Sequence, residues 1–202
     1  MRHKGRLIII EGIDGTGKTT LAKALQERLA RNGFDSILTF EPTDGPWGKR
    51  LRKSFSYSKR LPVQEELDLF IKDRREHVAG LILPALGSGK IIVCDRYYFS
   101  TMAYQGARGL DPDKIRHENE AFAPLPDLMF ILELDPAVAL RRICEKRGNQ
   151  PNNFEEIDYL KRVAAIFKGL SDPFIERLNA GRPQDEIIAA AWVKTASCLG
   201  AP

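Results

Sequence analysis

The stretch Gly12-Ile13-Asp14-Gly15-Thr16-Gly17-Lys18-Thr19 decides the fold, because it fits the phosphate-binding pattern G-x-x-x-x-G-K-[ST]. It follows the apolar run Leu7–Ile10 and precedes Thr20–Leu25, which is typical of a helix. A buried strand therefore ends in a glycine-rich turn that opens into a helix N-terminus, where backbone N–H groups can bind an anion. Lys18 can place its charge between the β- and γ-phosphates, and the Thr19 hydroxyl can ligate Mg²⁺. The sequence thus predicts a nucleoside triphosphate site.

The composition indicates one domain, spanning residues 1–202, with 43% hydrophobic residues and a sizeable core. A net charge of +4 is modest, and its basic clusters suit a phosphate-bearing small molecule as well as a nucleic acid. Three cysteines without C-x-x-C spacing argue against a disulfide framework or a zinc site and favour the reducing cytoplasm. The apolar run near residue 7 is too short for a signal peptide, and we expect no membrane span.

Apolar strands alternate with helical segments along the chain. We expect strands at 7–11, 36–40, 90–95, 128–134 and 174–179. We expect helices from 20 to about 32, at 47–55, from 64 to about 86 with a kink at Pro84, at 111–123, after 135, at 158–170 and at 183–196. This order predicts an α/β fold with a parallel sheet covered by helices on both faces. Because such sheets bind ligands at the carboxyl ends of their strands, the phosphate loop, Glu41-Pro42 and Asp95-Arg96 should converge on one crevice.

Two pairs of side chains are candidates for contact with a second ligand. Asp95 can lie near the Mg²⁺, directly or through water, or it can cap the following helix. The favoured role of Arg96 is to bind a phosphate, since a guanidinium beside a phosphate loop would be unpaired without an anion. Phe70 and Arg74 share one helix face, where they could stack on a planar base and donate to its carbonyls. A core phenylalanine and a solvated arginine are the alternatives, and periodicity alone does not decide.

Together these segments resemble the thymidylate kinases, the nucleoside monophosphate kinases that make dTDP and ADP from dTMP and ATP. The resemblance runs from about Arg6 to Trp192, and it is carried by Glu11–Thr19, Glu41-Pro42, Leu69-Phe70 with Asp73-Arg74, and Asp95-Arg96-Tyr97 with Ser100 and Ala103–Gly106. It implies a three-layer P-loop kinase fold with a five-stranded parallel sheet and a short lid at about 141–154. It also implies ATP as phosphoryl donor, Mg²⁺ as cofactor, and a homodimer packed through helices that binds neither nucleic acid nor membrane.

The resemblance also implies a set of acceptor-binding residues. These are Glu41, Pro42, Phe70, Arg74, Arg96, Ser100, Thr101, Tyr104 and Gln105. In the implied arrangement Phe70 stacks on thymine and Arg74 hydrogen-bonds its edge. Tyr104 lies against the sugar 2′ carbon and excludes a ribose hydroxyl. Arg96 holds the acceptor phosphate, and Asp14 approaches the 3′-hydroxyl or helps to order the phosphates and the metal. The Glu41-Pro42 peptide bond is a candidate for the cis form.

On the donor side the resemblance implies a second set of binding residues. These are Gly12, Ile13, Asp14, Gly15, Thr16, Gly17, Lys18, Thr19, Thr20 and Arg182, with Thr19 and Asp95 as metal ligands. Thr16 stands where some family members carry arginine, so the lid would supply that charge, with Arg147 as first candidate and Arg142 as second. A solvated basic helix face is the alternative for either arginine. The implied catalytic residues are Lys18, Arg96, Asp14, Asp95, Arg147 and Arg142.

Four segments depart from the commonest bacterial pattern of the family: Thr43–Pro46, Ile71-Lys72, Asn152-Asn153 and Asn179. Thr43–Pro46 and Ile71-Lys72 keep a second hypothesis open. In that hypothesis the protein is a related kinase that acts on another deoxynucleotide or on a phosphorylated metabolite. A third hypothesis is a nucleotide-binding regulator without turnover, which predicts loss of Asp95, Arg96 or the lid cations. A nucleic-acid motor would need a second set of motor motifs, and the sequence carries none.

Overall fold

The computed structural model describes residues 4–55, 60–147 and 154–200. One five-stranded sheet crosses these ranges in the order β2-β3-β1-β4-β5, and every pair of neighbouring strands is parallel. The strands are β1 Arg6–Gly12, β2 Ser36–Phe40, β3 Ile91–Asp95, β4 Leu128–Glu133 and β5 Ile175–Asn179. The sequence prediction of a parallel α/β sheet is confirmed, and each strand lies within two residues of its predicted position.

Nine α-helices lie in the described ranges. They are α1 Lys18–Arg31, α2 Pro46–Ser54, α3 Val63–His77, α4 Leu83–Gly87, α5 Tyr98–Gly106, α6 Pro112–Glu120, α7 Pro136–Arg147, α8 Phe154–Gly169 and α9 Gln184–Leu199. The predicted caps at Asp111 and Asp135 are confirmed, since each carboxylate accepts hydrogen bonds from two amides of the first helical turn. None of the helices in the described ranges is long and apolar enough to cross a membrane.

The two faces of the sheet carry separate apolar cores, because successive strand residues point to opposite sides. Leu7 and Ile9 of β1 pack into the core that contains residues of α3, α5 and α8. Ile8 and Ile10 pack into the core that contains residues of α1 and α9. The sheet is therefore the middle of three layers, as the alternating pattern of strands and helices predicts.

The helical stretch after residue 63 differs from its prediction in one respect. A π-helical turn, Val78–Ile82, separates α3 from α4, where the sequence predicts a single helix kinked in its last turn. Pro84 follows this turn, has no N–H to donate, and its ring conflicts with the carbonyl four residues earlier. A wider turn before the proline relieves that conflict without ending the helical path.

The strand register brings the predicted functional segments to one edge of the sheet. Asp95 at the end of β3 lies opposite Ile10 of β1 and opposite Phe40 of β2. The residues that follow these positions therefore emerge side by side at the carboxyl edge. The predicted convergence of the phosphate loop, Glu41-Pro42 and Asp95-Arg96 is confirmed.

Candidate active site

The phosphate loop is shaped by close approaches that only glycine permits. Gly12 and Gly15 have φ values of +136° and +84°, in the region that favours glycine. A Cβ atom at Gly12 would lie 2.5 Å from the carbonyl oxygen of Leu132, and one at Gly15 would lie 2.5 Å from that of Ala139. The loop therefore packs against β4 and α7 with its backbone, which leaves its amide groups available at the start of α1.

Lys18 crosses the loop and is almost fully buried. Its Nζ donates to the carbonyl oxygen of Ile13 at 2.8 Å and lies 3.9 Å from Oδ1 of Asp14. Burial and the nearby charge of Arg96 together lower the pKa of Lys18 to about 8, against the opposing effect of Asp14. An anion bound in the loop would favour the charged ammonium again, as expected for a lysine that contacts phosphate.

Asp95 and Thr19 have the chemistry of a magnesium site. Thr19 Oγ1 donates to Asp95 Oδ2 at 2.5 Å, whereas the buried Oδ1 has no hydrogen-bond partner among the described residues. A buried carboxylate oxygen without a partner calls for a missing donor or cation. Carboxylate and hydroxyl oxygens suit Mg²⁺, whose remaining ligands are commonly water and substrate phosphates. The described ranges hold no cluster of three or more His, Cys, Asp or Glu side chains placed for a metal.

The cap of α5 is Glu11, a residue for which the sequence analysis proposed no role. Its Oε1 accepts hydrogen bonds from the amides of Tyr97 and Ser100 at 2.8 and 3.0 Å, and its Oε2 accepts one from the Ser100 hydroxyl at 2.5 Å. Burial raises the pKa of Glu11 to about 7. The alternative that Asp95 caps this helix is wrong, since Glu11 binds those amides. The sequence signal for this role is the carboxylate of Glu11 at the end of a strand that is otherwise apolar.

Arg96 connects the phosphate loop with α5. It has a left-handed backbone with φ +74°, its Nη1 donates to Ser100 Oγ at 3.0 Å, and its Nη2 pairs with Asp14 Oδ1. Its guanidinium lies over the ring of Tyr104, whose hydroxyl accepts the Asp14 amide hydrogen bond at 2.9 Å. Burial alone would raise the pKa of Asp14, but Arg96 and Lys18 hold it below its ordinary value.

A cavity of about 550 Å³ opens beside this group. It is lined by Asp14, Pro42, Ser54, Phe55, Arg60, Glu66, Phe70, Arg96, Ser100, Thr101, Tyr104, Gln105 and Tyr159. All of the sequence-predicted acceptor residues except Glu41 and Arg74 are in this set. Phe70 is partly exposed at the cavity, so the alternative that it is a core residue is wrong. The Glu41-Pro42 peptide bond is cis, as proposed from the sequence.

Arg74 and Glu41 are buried and do not line the cavity. Arg74 donates to Glu41 at 2.7 Å, to Asn119 at 2.7 Å and to Thr101 at 3.0 Å, so all three guanidinium nitrogens have protein acceptors. His77 lies 3.0 Å from the other oxygen of Glu41, and the pKa of that carboxyl is lowered, because Arg74 and His77 outweigh its burial. The alternative of a solvated arginine is therefore wrong, while the contact of Arg74 with a base stays a prediction.

Two further cavities lie on the other side of the phosphate loop. One, of about 520 Å³, is lined by Asp14, Gly15, Gly17, Lys18, Thr19, Thr20, Arg96, Arg142 and Ile143. The other, of about 240 Å³, is lined by Thr16, Gly17, Thr20, Leu21, Leu132, Arg142, Ala180, Arg182, Gln184, Ile187 and Ile188. Each cavity shares residues with the next, since Asp14 and Arg96 belong to the first two and Arg142 belongs to the last two. The three cavities form a continuous row.

Of the two lid arginines predicted from the sequence, only Arg142 has a described side chain. Its Nη1 donates to the carbonyl oxygen of Ala180 at 3.1 Å, and it lines both cavities on the donor side. The backbone of Arg147 ends α7, but its side chain and residues 148–153 lie outside the described part of the structure. Ala180 and Arg182 line the smaller cavity, next to which the resemblance places adenine.

Three of the four departures from the family pattern have structural partners, whereas Asn152-Asn153 lie outside the described residues. Asp73 accepts hydrogen bonds from the Thr43 amide at 2.7 Å and from its hydroxyl at 2.6 Å. The segment after Pro42 is thereby tied to α3. Asn179 Oδ1 accepts a hydrogen bond from the Gly181 amide at 2.8 Å, an interaction that an aspartate could also make. Lys72 lies over the ring of Trp47, away from the cavity.

Known proteins of one family match nearly the whole chain. A family model described as "Thymidylate kinase" matches residues 10–189. A "Thymidylate kinase" from Desulfotalea psychrophila is 46% identical over 185 residues, which are 92% of this chain and 91% of the relative. One from Xanthomonas campestris pv. campestris is 47% identical over 195 residues, 96% of this chain and 85% of the relative. One from Akkermansia muciniphila is 47% identical over 187 residues, 93% and 89% of the two chains.

Proposed function

This chain belongs to the thymidylate kinase family, and from that premise we propose how its row of cavities carries out the reaction of the family. The protein is a nucleoside monophosphate kinase that transfers the γ-phosphoryl group of ATP to dTMP and yields dTDP and ADP. The observation that carries the proposed arrangement is the sharing of Asp14 and Arg96 between the phosphate-loop cavity and the 550 Å³ cavity. ATP occupies the two cavities on the donor side, dTMP occupies the third, and the reacting phosphates meet at the shared residues.

The chain's own residues act by positioning and by neutralising charge. The acceptor monophosphate has a second pKa of about 6, so it is largely dianionic at neutral pH and needs no strong general base. The barrier to overcome is repulsion between two polyanions. Lys18 and the loop amides hold the donor phosphates. Arg96 exchanges its ion pair with Asp14 for a contact with the acceptor phosphate. Asp14 is then free to accept a hydrogen bond from the sugar 3′-hydroxyl, or to help order the phosphates.

We propose that Thr19 and Asp95 hold Mg²⁺. The support is the unpartnered Oδ1 of Asp95 beside the Thr19 hydroxyl. When bound, the ion neutralises negative charge on the donor phosphates. Asp95 and Thr19 would hold the ion at the first turn of α1, and the ion would supply a partner for the Asp95 carboxylate.

Arg142 is our proposal for a lid residue that supplies the charge missing at Thr16. Its place at both donor-side cavities supports this role, because a cation there lies next to the phosphate loop. Arg147, the first candidate from the sequence, is our alternative proposal and lies one to two turns further along α7. Replacing each with alanine and measuring kcat decides between them, since only the residue that contacts the transferred phosphoryl group should lower kcat by about a hundredfold or more.

One coupled assay of ADP release, run with a panel of nucleoside monophosphates, tests the acceptor. Selective turnover with dTMP is the expected result. A different preferred acceptor would instead support a related kinase, and ATP binding without any turnover would support a regulator. Tyr104 at the cavity supports a deoxynucleotide acceptor, because its ring is proposed to exclude a ribose hydroxyl.

We also propose that the protein forms a homodimer and works in the cytoplasm. The dimer rests on the family resemblance, and light scattering of the purified protein tests it, with a single-chain mass as the contrary result. The cytoplasmic setting rests on three free cysteines, of which Cys94 and Cys144 are buried. Cell fractionation tests it.

A further inference from the structure

Arg60 is an accessible cation that lines the acceptor cavity. Its side chain is 41% exposed and lines the cavity together with Phe55 and Tyr159, whose rings lie about 6 Å from its guanidinium carbon. Phe55 in turn contacts Phe70, with ring centroids 6.5 Å apart. Arg60 therefore lies at the same end of the cavity as the residue proposed to stack on the base.

The orientation of Arg60 is fixed by a fully buried carboxylate, Glu66. Arg60 Nε donates to Glu66 Oε2 at 2.9 Å, and Arg60 Nη2 donates to Glu66 Oε1 at 2.7 Å. This two-bond fork restrains the guanidinium in a way that a single contact would not. The remaining nitrogen, Nη1, is the one that Glu66 does not engage.

Glu66 also orients a second polar group of the cavity, Gln105. Its Oε1 accepts a hydrogen bond from Gln105 Nε2 at 2.6 Å, and Arg108 Nη1 lies 2.9 Å from its Oε2. A carboxylate held by two guanidinium groups only accepts hydrogen bonds, so Gln105 must turn its NH₂ group toward Glu66. The Gln105 Oε1 is then an acceptor, and it is buried without a partner among the described residues. One carboxylate thus orients both the Arg60 donor and the Gln105 acceptor.

Arg74, in contrast, has each of its three guanidinium nitrogens bound to a protein acceptor and is 1% exposed. A pyrimidine such as thymine presents carbonyl oxygens beside an N–H group, which is the complement of a guanidinium beside an amide oxygen. We infer that Arg60 donates a hydrogen bond to a carbonyl oxygen of the bound base and that Glu66 positions Arg60 and Gln105 for this contact. The inference rests on the proposed function, because it takes the acceptor to be a nucleotide with such a base.

The test compares the full-length protein with its Arg60→Ala variant, using dTMP and its 2-thio and 4-thio analogues, in which a weakly accepting sulfur replaces one carbonyl oxygen. We expect Arg60→Ala to raise KM for dTMP by about tenfold to a hundredfold, the size of one lost charge-assisted hydrogen bond. KM for ATP should stay within twofold. The unaltered protein should discriminate against one of the two thio analogues, and Arg60→Ala should lose that discrimination.

Arg50→Ala is the matched control, because Arg50 is an exposed arginine that pairs with Glu65 and does not line the cavity. In Arg60→Ala, Glu66 keeps the hydrogen bond from Gln105 and the nearby charge of Arg108, and the unchanged KM for ATP checks that the variant is folded. Equal loss of affinity for dTMP and both analogues, or no loss, would overturn the inference. If the unaltered protein does not turn over dTMP, the proposed function fails instead, and the same comparison made as equilibrium binding still tests Arg60.

Discussion

At the scale of single residues, Asp14 and Arg96 matter most because both donor and acceptor cavities use them. The two side chains pair with each other. A phosphate that binds Arg96 must therefore compete with the Asp14 carboxylate. The pair orients the guanidinium and avoids a buried charge without a partner.

Arg96→Ala should lower kcat/KM for dTMP by at least about a hundredfold, because the clamp on the acceptor phosphate acts in the transition state. Binding of ATP, measured by titration calorimetry, should change little, since Lys18 and the loop amides remain. Arg96→Lys should recover only part of the activity, because an ammonium cannot reproduce the fork to Asp14 and Ser100. Equal losses of ATP affinity and of transfer would contradict the assignment of Arg96 to the acceptor.

Tyr104→Ala should relax the exclusion of ribonucleotides, because its ring is proposed to lie against the sugar 2′ carbon. The ratio of kcat/KM for dTMP to that for the corresponding ribonucleotide should fall on the order of tenfold. Tyr104→Phe is the control, since it keeps the ring and removes only the hydroxyl that accepts the Asp14 amide hydrogen bond. An unchanged ratio in Tyr104→Ala would remove this residue from the sugar pocket.

Single residues also mark what the sequence could and could not reveal. The roles of Lys18, Thr19 and Arg96 follow from residue type beside a glycine-rich turn, and the structure brings these residues together. The capping by Glu11 and the burial of Arg74 depend on contacts between segments more than 30 residues apart in the chain. No local pattern encodes such partners, so both were missed.

At the scale of elements, the segment after β2 is held in place by α3. Asp73 on α3 is buried, and its two oxygens bind the amide and the hydroxyl of Thr43, just after the cis peptide bond at Glu41-Pro42. This tether positions Pro42 at the acceptor cavity. It also explains how Thr43–Pro46 can replace the usual sequence of the family without leaving the segment loose.

Asp73→Ala should lower the free energy of unfolding by about 1–3 kcal/mol, since it leaves the Thr43 amide without its acceptor. It should also raise KM for dTMP more than KM for ATP, because the freed segment borders the acceptor cavity alone. Urea denaturation and steady-state kinetics measure the two effects. Asp68→Ala is the control on the same helix, an exposed aspartate hydrogen-bonded to Gln64. Identical behaviour of the two variants would show that the tether has no role.

At the scale of the whole molecule, the sheet and its layers follow from the alternation of apolar strands and helices, which is why the fold could be predicted from the sequence. The boundaries and the three-layer arrangement depend on periodicity and caps, which are local signals. The row of cavities depends instead on how β1, β2 and β3 align at one edge, and on side chains such as Glu66 of α3 and Gln105 of α5 that meet between two helices. That arrangement is a property of the packed molecule.

Stability should depend on pH through Glu11. Its pKa is raised from 4.5 to about 7 in the folded protein, so its contribution to stability is fully present below pH 4.5 and is lost as the pH rises through about 7. Glu11→Gln keeps the acceptor for the α5 amides but removes the titration. The difference in unfolding free energy between the unaltered protein and this variant should therefore change by on the order of 3 kcal/mol between pH 4 and pH 8. A difference that is constant with pH would contradict this.

The π-helical turn at Val78–Ile82 changes the direction in which side chains of α4 point relative to those of α3. Each residue of an α-helix advances the side-chain direction by about 100°, and a π turn accommodates one additional residue. Glu66 and Phe70 of α3 line the cavity and Leu86 of α4 is buried in the core, so the turn between the two helices sets the angle between these two faces. A variant with one residue deleted from this turn would have to rotate one face by more than a quarter turn, either away from the nucleotide or out of the core.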